Sequence, residues 1–354
     1  MNPNNFGPNA PGRILTVGLP PAQYMAYVPA PLPPVFQPTW SLNRQLAEAE
    51  RALGELAGLG SRLTNPHLLI GPFRRREAVL SSRIEGTLAS LTDLVLHEAT
   101  PKGVPEVRDV REVSNYVKAL DYGLERLNQL PVSLRLIREI HEHLLDGVRG
   151  AHLTPGQFRT TQNWIGRPGS SLNEATYVPP PPDELMTALG DLERFIHQKD
   201  DLPLLVRLAL IHYQFEAIHP FLDGNGRVGR LLITFLLCAH SVLPGPLLYI
   251  SAYFESHRDQ YYDGLISVST RGSWLEWIGF FLQAVAESGR DGVRRARQIL
   301  DLRESWRLRV QQARNADSML KLVDEIFRWP AMTVAHVRTL LSTGHMTARN
   351  CLSK

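Results

Sequence analysis

The sequence predicts an all-α protein, mainly helical along its length, that ends in a small helix-turn-helix or winged-helix-like domain. Apolar residues recur at intervals of three and four, as in Leu204, Leu208, Ile211 and Phe215, which places them on one face of a helix. The alternation of apolar and polar residues that is typical of strands is nearly absent. Only residues 176–178 and 247–250 favour short strands.

Length and composition exclude several classes of protein. The chain has 354 residues, a hydrophobic fraction of 44% and a formal net charge of +3. It is therefore neither a strongly basic nucleic-acid-binding protein nor an acidic disordered chain. Its two cysteines cannot form a disulfide framework, which fits a reducing compartment. Because residues 1–10 contain no apolar signal segment and no run of about 18 apolar residues exists, we expect a cytoplasmic protein without a membrane span.

The first part of the chain divides into an arm and a helical body. We expect residues 1–40 to form an extended proline-rich arm, because the five prolines between positions 29 and 38 prevent a long helix. Helical spacing begins at residue 41, with Ser41 as the expected N-cap. Residues 41–115 are then an N-terminal helical region, and residues 116–289 form the helical core.

Residues 290–354 differ from the body in charge and spacing. Residues 290–314 contain eight arginines against three acidic residues, which predicts a basic linker helix. Short helices are expected at residues 318–328, at residues 333–341 and from residue 347 onward, with a turn at Thr343 and Gly344. This is the spacing of a helix-turn-helix, which the sequence leaves incomplete at Lys354. DNA is one partner that such a domain can bind.

One segment between two predicted helices, residues 219–230, carries most of the reactive side chains. It reads His-Pro-Phe-Leu-Asp-Gly-Asn-Gly-Arg-Val-Gly-Arg. Gly224 and Gly226 let the backbone turn tightly and approach a ligand, and the loop opens a helix whose free N–H groups attract anions. Arg227 and Arg230 add two cations on one face of that helix. These features predict a diphosphate-binding loop.

Two other side chains of this loop suit the transfer of a phosphate-linked group. Asp223 offers a hard oxygen ligand for Mg²⁺. His219 lies four residues earlier and can act as a general base near neutral pH. Transfer of this kind requires positioning, charge neutralisation and an oriented nucleophile, and the loop provides residues for all three.

Three familiar ligand-binding loops match the segment less well. Gly224, Gly226 and Gly229 fit G-x-G-x-x-G, but a helix and Pro220 precede them where a dinucleotide-binding fold has a strand. A Walker A loop needs Lys at position 230 followed by Ser or Thr. A calcium loop needs Gly at position 228 and Glu at position 234, where Val and Thr stand.

The loop resembles the signature of the Fic (Fido) family, H-P-F-x-D/E-G-N-G-R-x-x-R, and matches it at every fixed position. The resemblance covers about residues 60–290 and includes I-R-E-I-H-E-H-L-L from residue 137, P-G-Q-F-R from residue 155 and Y-V-P-P-P-P from residue 177. It is to bacterial members with an N-terminal inhibitory helix and a C-terminal winged-helix-like domain. It implies a mainly α-helical Fic fold with a short β-hairpin flap, in which Tyr177 and Val178 hold the target chain as an added strand.

The resemblance also implies a reaction, the transfer of AMP from ATP with Mg²⁺ to a Ser, Thr or Tyr hydroxyl of a protein target. His219 would deprotonate the hydroxyl, Asp223 would hold Mg²⁺ between the α- and β-phosphates, and Arg230 would bind the γ-phosphate. The residues implied in binding the phosphates and the adenine are Gly224, Asn225, Gly226, Arg227, Tyr261 and Tyr262. Family members that act as kinases carry Lys in place of the second loop glycine, so Gly226 favours AMP transfer.

An inhibitory element is the last feature that the resemblance implies. Ser-Ser-Arg-Ile-Glu-Gly from residue 81 matches the family pattern S/T-x-x-x-E-G/N. A helix over about residues 73–88 would place Ser81 and Glu85 on one face, just before Gly86. Glu85 would pair with Arg230, remove the cation from the γ-phosphate site and leave ATP in an unproductive pose.

Three alternatives stay open at the level of sequence. The same core could transfer another nucleotide, could remove AMP, or could sense nucleotide for a DNA-binding regulator. The resemblance further implies a protein target, which includes the chain itself, and a homodimer. His141 and His143 are no metal pair, because residues two apart lie on different faces of a helix.

Overall fold

The computed structural model describes residues 1–62, 67–100, 109–167, 169–313 and 315–352. Within these ranges the chain forms fourteen α-helices and one two-stranded antiparallel sheet, so the mainly helical fold class is confirmed. The helices are α1 Trp40–Ser61, α2 His67–Ile84, α3 Leu91–Ala99, α4 Val110–Arg126, α5 Leu134–Leu144, α6 Pro182–His197, α7 Leu204–Ile218, α8 Asn225–Ala239, α9 Ser251–Ser256, α10 Arg258–Arg271, α11 Trp274–Val310, α12 Ala316–Arg328, α13 Val334–Leu341 and α14 His345–Leu352.

The centre of the fold is the pair α7 and α8, joined by the loop of residues 219–224. Both helices are apolar on nearly every face, and almost all of their side chains are buried. A helix of this kind is stable only inside a core. α4, α5, α6, α10 and α11 pack around the pair, and α1 lies along α11. The loop between two buried helices is therefore held on a rigid base.

The N-terminal arm contains a β-hairpin that the sequence did not predict. β1 (Arg13–Val17) pairs with β2 (Tyr24–Val28) in antiparallel register. Ala26 and Tyr27 are fully buried, and the backbone N–H of Tyr27 donates to the carbonyl of Val178, 2.8 Å away. The arm is thus an integral layer beside residues 177–178.

Several element boundaries differ from those expected. α1 begins at Trp40 and its N-cap is Thr39, whose Oγ1 accepts from the N–H of Leu42, so Ser41 is not the cap. α2 runs from His67 to Ile84 with a proline inside its second turn, and Glu85 lies just beyond its end. Residues 247–250 are buried but form no strand, because two nearby prolines and the start of α9 confine them to a short connection. The boundary predicted at residues 115–116 lies within α4.

The C-terminal helices form a separate small core at the end of a long helix. α11 spans 37 residues, so residues 290–310 continue the helix that begins in the body instead of forming a separate linker. α12, α13 and α14 bury Met319, Leu322, Val337, Ala348 and Cys351 against one another. The expectations for Arg314 and Lys354 lie outside the described residues. In the described ranges, none of the helices has the length and apolar character needed to cross a membrane.

Candidate active site

The backbone of the loop is fixed by one side chain of its own. Asn225 begins α8; its Oδ1 accepts from the N–H of Phe221 and its Nδ2 donates to the carbonyl of Phe221, both at 2.8 Å. These two bonds fix the loop, and the role expected for Asn225 at the phosphates stays a prediction. Gly224 adopts a left-handed conformation with φ of 80° and directs the first N–H groups of α8 outward. Those groups form an anion site at a helix N-terminus.

His219 ends α7 in a left-handed conformation, with φ of 48° and ψ of 62°. Such values are rare for a residue with a side chain and cost about 1–3 kcal/mol. Nδ1 lies 3.3 Å from the carbonyl oxygen of Glu216 and donates to it, so Nε2 is the basic nitrogen. Burial, followed by the nearby Arg159, lowers the pKa of His219 from 6.5 to about 4. The imidazole is therefore neutral near pH 7, which a general base requires.

A partly exposed carboxylate, Asp223, pairs with a fully buried cation, Arg227, beneath the loop. Asp223 Oδ1 accepts from the N–H of Gly224 at 2.6 Å and lies 3.5 Å from Arg227 Nη2. The Arg227 side chain is fully buried, and its Nη1 donates to Glu112 of α4 at 3.2 Å. Arg227 thus supports the loop and the carboxylate from below, where it contributes positive charge without facing solvent.

Arg230 is fully buried and is held by α2 and the residue that follows it. Its Nε donates to Ser81 Oγ at 2.8 Å, and its Nη2 donates to the Ser81 carbonyl at 3.0 Å and to Glu85 Oε1 at 2.7 Å. Burial alone would raise the pKa of Glu85, but Arg230 outweighs it and lowers that pKa below 4.5. A Cβ at Gly226 would overlap Glu85 Oε1, so Glu85 lies directly against the loop.

Comparison with known proteins identifies the family. The model of the Fic/DOC family N-terminal region matches residues 43–125, and that of the Fic/DOC family matches residues 131–237, so together they span more than half of the chain. The chain belongs to the Fic/DOC family. A protein adenylyltransferase Fic from Drosophila grimshawi is 32% identical over 133 residues, which are 35% of this chain and 25% of the relative. One from Aedes aegypti is 28% identical over 184 residues, which are 51% and 32%. The chain thus matches a quarter to a third of the length of these relatives.

Solved Fic structures share the fold. A Fic family protein from Desulfovibrio desulfuricans G20 superposes with a TM-score of 0.62 at 22% identity and covers 90% of this chain and 89% of its own. Fic-1 (aa134–508) from C. elegans gives a TM-score of 0.55 at 20% identity, with 74% of each chain covered. The first of these similarities extends over most of the chain.

The Fic flap is reduced here to one isolated antiparallel bridge between Ile165 and Tyr177. The backbone N–H and carbonyl of Tyr177 both bond Ile165, and its hydroxyl donates to the carbonyl of Ala217. The carbonyl of Val178 accepts from the N–H of Tyr27. Both side chains are buried, with Val178 at 0% exposure. The expected docking residues are therefore covered by their own chain. The other edge of the bridge is open, with Trp164 43% and Ile165 41% exposed.

The two tyrosines expected at the adenine have different environments in the Fic core. Tyr261 is only 1% exposed, packs on Phe254, and donates its hydroxyl to His212 Nε2 at 2.8 Å. His212 Nδ1 in turn donates to the carbonyl of Gly229, so Tyr261 supports α8 from within. Tyr262 is 41% exposed and is the one of the pair that offers a ring to a base.

Three further side chains hold the Fic loop and were not assigned a role from the sequence. Arg159 Nε and Asn163 Nδ2 both donate to the carbonyl of His219, at 2.9 and 3.2 Å. His141 accepts from the N–H of Gly156 at Nδ1 and donates from Nε2 to the carbonyl of Asp223 at 3.0 Å. The sequence contained a signal for all three, since His141 and Arg159 lie in the stretches that resemble the family outside the loop, and Asn163 begins N-W-I-G, which resembles the family as well.

Asp223 suits a magnesium ion that is brought mainly by phosphates. Oδ1 is occupied by the Gly224 N–H and Arg227, and Oδ2 remains to bind a cation. No group of three or more His, Cys, Asp or Glu that could hold a metal occurs in the described part of the chain. Mg²⁺ commonly takes one or two carboxylates and completes its coordination with phosphate oxygens and water, so a single Asp fits.

Proposed function

We propose that this protein transfers AMP from ATP to a Ser, Thr or Tyr hydroxyl of a protein target. The observation that supports this most is the neutral His219, with Nε2 as its basic nitrogen, beside a helix N-terminus and two buried arginines. This arrangement combines a base, an anion site and fixed positive charge within one loop. The adenylyltransferase names of the relatives agree with it. A cytoplasmic location, where ATP is available and thiols stay reduced, fits the proposal.

In the proposed reaction His219 Nε2 accepts the proton of the target hydroxyl. The oxygen forms a bond to the α-phosphorus, and the bond from that phosphorus to the α–β bridging oxygen breaks, so pyrophosphate leaves. The first N–H groups of α8 would bind the phosphates, and Asp223 Oδ2 would hold Mg²⁺, which would neutralise charge on the leaving pyrophosphate. The γ-phosphate would bind Arg230.

The proposal includes a built-in inhibition by Glu85. Arg230 can bind a γ-phosphate only if Glu85 gives up its contact of 2.7 Å. Ser81 holds the same guanidinium through two further hydrogen bonds and keeps it directed toward α2. Because phosphate and carboxylate would carry negative charge into one place, ATP in the productive pose and Glu85 at Arg230 exclude each other.

The target would dock on the open edge of the flap at residues 164–166. The backbone groups of Ile165 face Tyr177, so those of its two neighbours face outward, as alternation along a strand requires. An extended target segment could pair there as an added strand, with the exposed rings and methyls of Trp164 and Ile165 supplying apolar contact. Asn163 begins this edge and bonds the His219 carbonyl, which connects docking with the reacting residue.

The experiment measures the intact mass of the protein after incubation with Mg·ATP for wild type, Glu85→Gly and Glu85→Gly/His219→Ala. A parallel incubation in lysate compares ATP labelled on the α-phosphate with ATP labelled on the γ-phosphate. We expect addition of AMP with Glu85→Gly and its loss with His219→Ala. Incorporation of the γ-label, or no α-label on any protein, would refute AMP transfer.

DNA binding by α12–α14 is a second candidate function. Residues 326–352 contain no Asp or Glu, and the exposed positions there include Arg338, His345 and Arg349. Cations without neighbouring carboxylates suit a phosphate backbone. We expect a labelled duplex to bind with an affinity that falls steeply with salt and is weakened in Arg349→Ala. Absence of binding at low salt would rule this candidate out.

A further inference from the structure

Arg159 is a buried cation for which no carboxylate partner occurs among the described residues. It is 3% exposed, and all of its side-chain hydrogen bonds go to backbone carbonyls: those of His219 at 2.9 Å, Pro180 at 2.6 Å, and Ile218 and Thr161 at 3.4 Å. A buried charge is costly unless something compensates it. Here the compensation comes from the carbonyls of Thr161 and Pro180 and from the C-terminal end of α7, where unpaired carbonyls carry partial negative charge.

Two of the carbonyls that Arg159 binds, those of Ile218 and His219, lie at the left-handed turn that ends α7. The backbone N–H of Arg159 also donates to the carbonyl of Pro220, and Asn163 donates to those of His219 and Phe221. A left-handed, non-glycine residue persists only where its surroundings over-determine it. Arg159 and Asn163 supply that constraint from the segment that leads into the flap.

We propose that Arg159, assisted by Asn163, is a positioning residue that holds His219 in its left-handed conformation and so orients its imidazole toward the target hydroxyl. The planar fork ties the backbone of His219 to the flap segment, because its donors bind the carbonyls of Ile218 and His219 and also that of Pro180. The positive charge acts on the ring directly. The remaining charged groups that face His219 are Glu85 and Asp223, and both favour its protonated form.

Charge and fork can be separated by substitution. Arg159→Lys keeps the charge but loses the planar fork, whereas Arg159→Gln loses both. Arg207→Gln is the control for the loss of a buried arginine, because Arg207, near the start of α7, binds the carbonyl of Phe195 at 2.7 Å and also pairs with Asp200. These contacts lie far from the loop, so their loss affects the stability of the fold.

The inference rests on the proposed function for its kinetic test and on NMR titration of His219 for a test that needs no turnover. In the Glu85→Gly background we expect Arg159→Gln to lower kcat by about 100-fold with little change in KM for ATP, as misplacement of a reacting group does. In Arg159→Gln the pKa of His219 should move closer to 6.5, and the pKa that governs the acid side of the pH–rate profile should rise with it. In Arg159→Lys kcat should fall, but that pKa should stay the same.

Two results would overturn the inference. One is a His219 titration that is the same in Arg159→Gln and in wild type. The other is a loss of activity in Arg159→Gln that matches Arg207→Gln and follows only the fraction of folded protein. Inactivity of the Glu85→Gly parent would count against AMP transfer alone, since the titration would still decide the role of Arg159.

A second, independent observation concerns the first half of α2, the helix that leads to Glu85. Arg75 of α2 is buried; its Nη1 donates to the carbonyl of Arg328, the last residue of α12, at 3.0 Å, and its guanidinium lies over the Trp329 ring at 5.5 Å. Nearby, Phe327 and Val323 pack against Leu68 at the start of α2. α2 is thus clamped to the C-terminal helices about 14 Å along its axis from its last turn.

We infer that the seating of α12 on α2 sets how firmly Glu85 holds Arg230, so the C-terminal helices regulate the inhibition that we proposed above. α2 is continuous from Arg75 to Ile84, and a helix transmits a shift of one end to the other. A partner that loosens α12 would therefore weaken the contact of Glu85 with Arg230.

The test is a double-mutant comparison of transfer rates in the full-length protein. Trp329→Ala should raise the rate several-fold when Glu85 is present and leave it unchanged in the Glu85→Gly background. Arg74→Met is the control, because Arg74 lies on the same helix but pairs with Asp121 of α4. Equal effects of Trp329→Ala in both backgrounds, or none in either, would contradict the coupling, whereas an inactive Glu85→Gly protein would contradict the proposed function itself. Hydrogen exchange of α2, which needs no activity, should be faster in Trp329→Ala than in Arg74→Met.

Discussion

The contact between Glu85 and Arg230 allows a quantitative prediction for a graded series of substitutions. Glu85→Gly removes the carboxylate, whereas Glu85→Gln keeps a hydrogen-bond acceptor of the same shape without the charge. Glu255→Gln is the control, because Glu255 of α9 pairs with Arg83 of α2 at 3.7 Å and is remote from Arg230. The series separates the contribution of the charge from that of the space that the side chain fills.

The magnitude follows from the geometry of the pair. A hydrogen bond to a charged group contributes about 1.5–3 kcal/mol, and a neutral one about 0.5–1.5 kcal/mol. Since Arg230 is buried but Glu85 is 29% exposed, we take the lower half of the first range. Removing the contact should then raise the transfer rate at limiting ATP by roughly 10- to 40-fold in Glu85→Gly, at about 1.4 kcal/mol per tenfold change. Glu85→Gln should raise it by about 5-fold, and Glu255→Gln should leave it unchanged.

Initial rates of AMP incorporation provide the assay, and calorimetry of ATP binding in the His219→Ala background provides affinities without turnover. The order of rates should be Glu85→Gly, then Glu85→Gln, then wild type. A Glu85→Gln rate equal to that of wild type, with only Glu85→Gly faster, would show that the side chain obstructs the site sterically and that its charge is irrelevant. If neither substitution raises the rate, the inhibitory role of the contact is wrong.

Three stability predictions follow from buried and capping residues. Burial raises the pKa of Glu77 above 4.5 in the folded protein. The stability that the protonated carboxyl contributes is therefore lost as the pH rises through that raised pKa. Glu77→Gln should raise the melting temperature at neutral pH but not in acid. Gly123→Ala should destabilise the protein by about 1–2 kcal/mol, because its Cβ would overlap an aromatic ring of α8, whereas Gly190→Ala, with open space around it, should stabilise by about 0.5–1 kcal/mol. In urea denaturation, Thr39→Ala should lower the free energy of unfolding by about 1 kcal/mol and Ser41→Ala should leave it unchanged.

The helices and the loop were readable from local sequence because both depend on short-range patterns. Apolar spacing predicted α7 and α8, and the dense block from His219 to Arg230 predicted where the reactive residues lie. Which side chains face the ligand was less readable. Asn225 and Tyr261 also bond within the protein, to Phe221 and His212, and these partners are set by packing that one sequence does not display.

The hairpin of the arm was missed for a related reason. Its strands have five residues each, and its alternation is weak, with exposed and partly buried positions mixed in β1. What orders β2 is the bond from Tyr27 to Val178, 151 positions later in the chain. A contact of that sequence separation leaves no periodic trace. The same contact helps to bury Tyr177 and Val178, the residues expected to dock a target. The docking edge that we propose is therefore at residues 164–166 instead.

Two buried polar residues of α2, Arg75 and Glu77, form a polar row that explains how Glu85, just beyond the end of that helix, is held in one position. Arg75 binds the end of α12, and Glu77 accepts from Tyr116 of α4 and from both the backbone N–H and the hydroxyl of Ser251. Each of these groups would be costly if left unpaired in the core. A helix held only by apolar contacts could slide or rotate at small cost, whereas a slip of one residue here would break every one of these bonds. The polar row therefore fixes the register of α2, and with it the reach of Glu85 to Arg230.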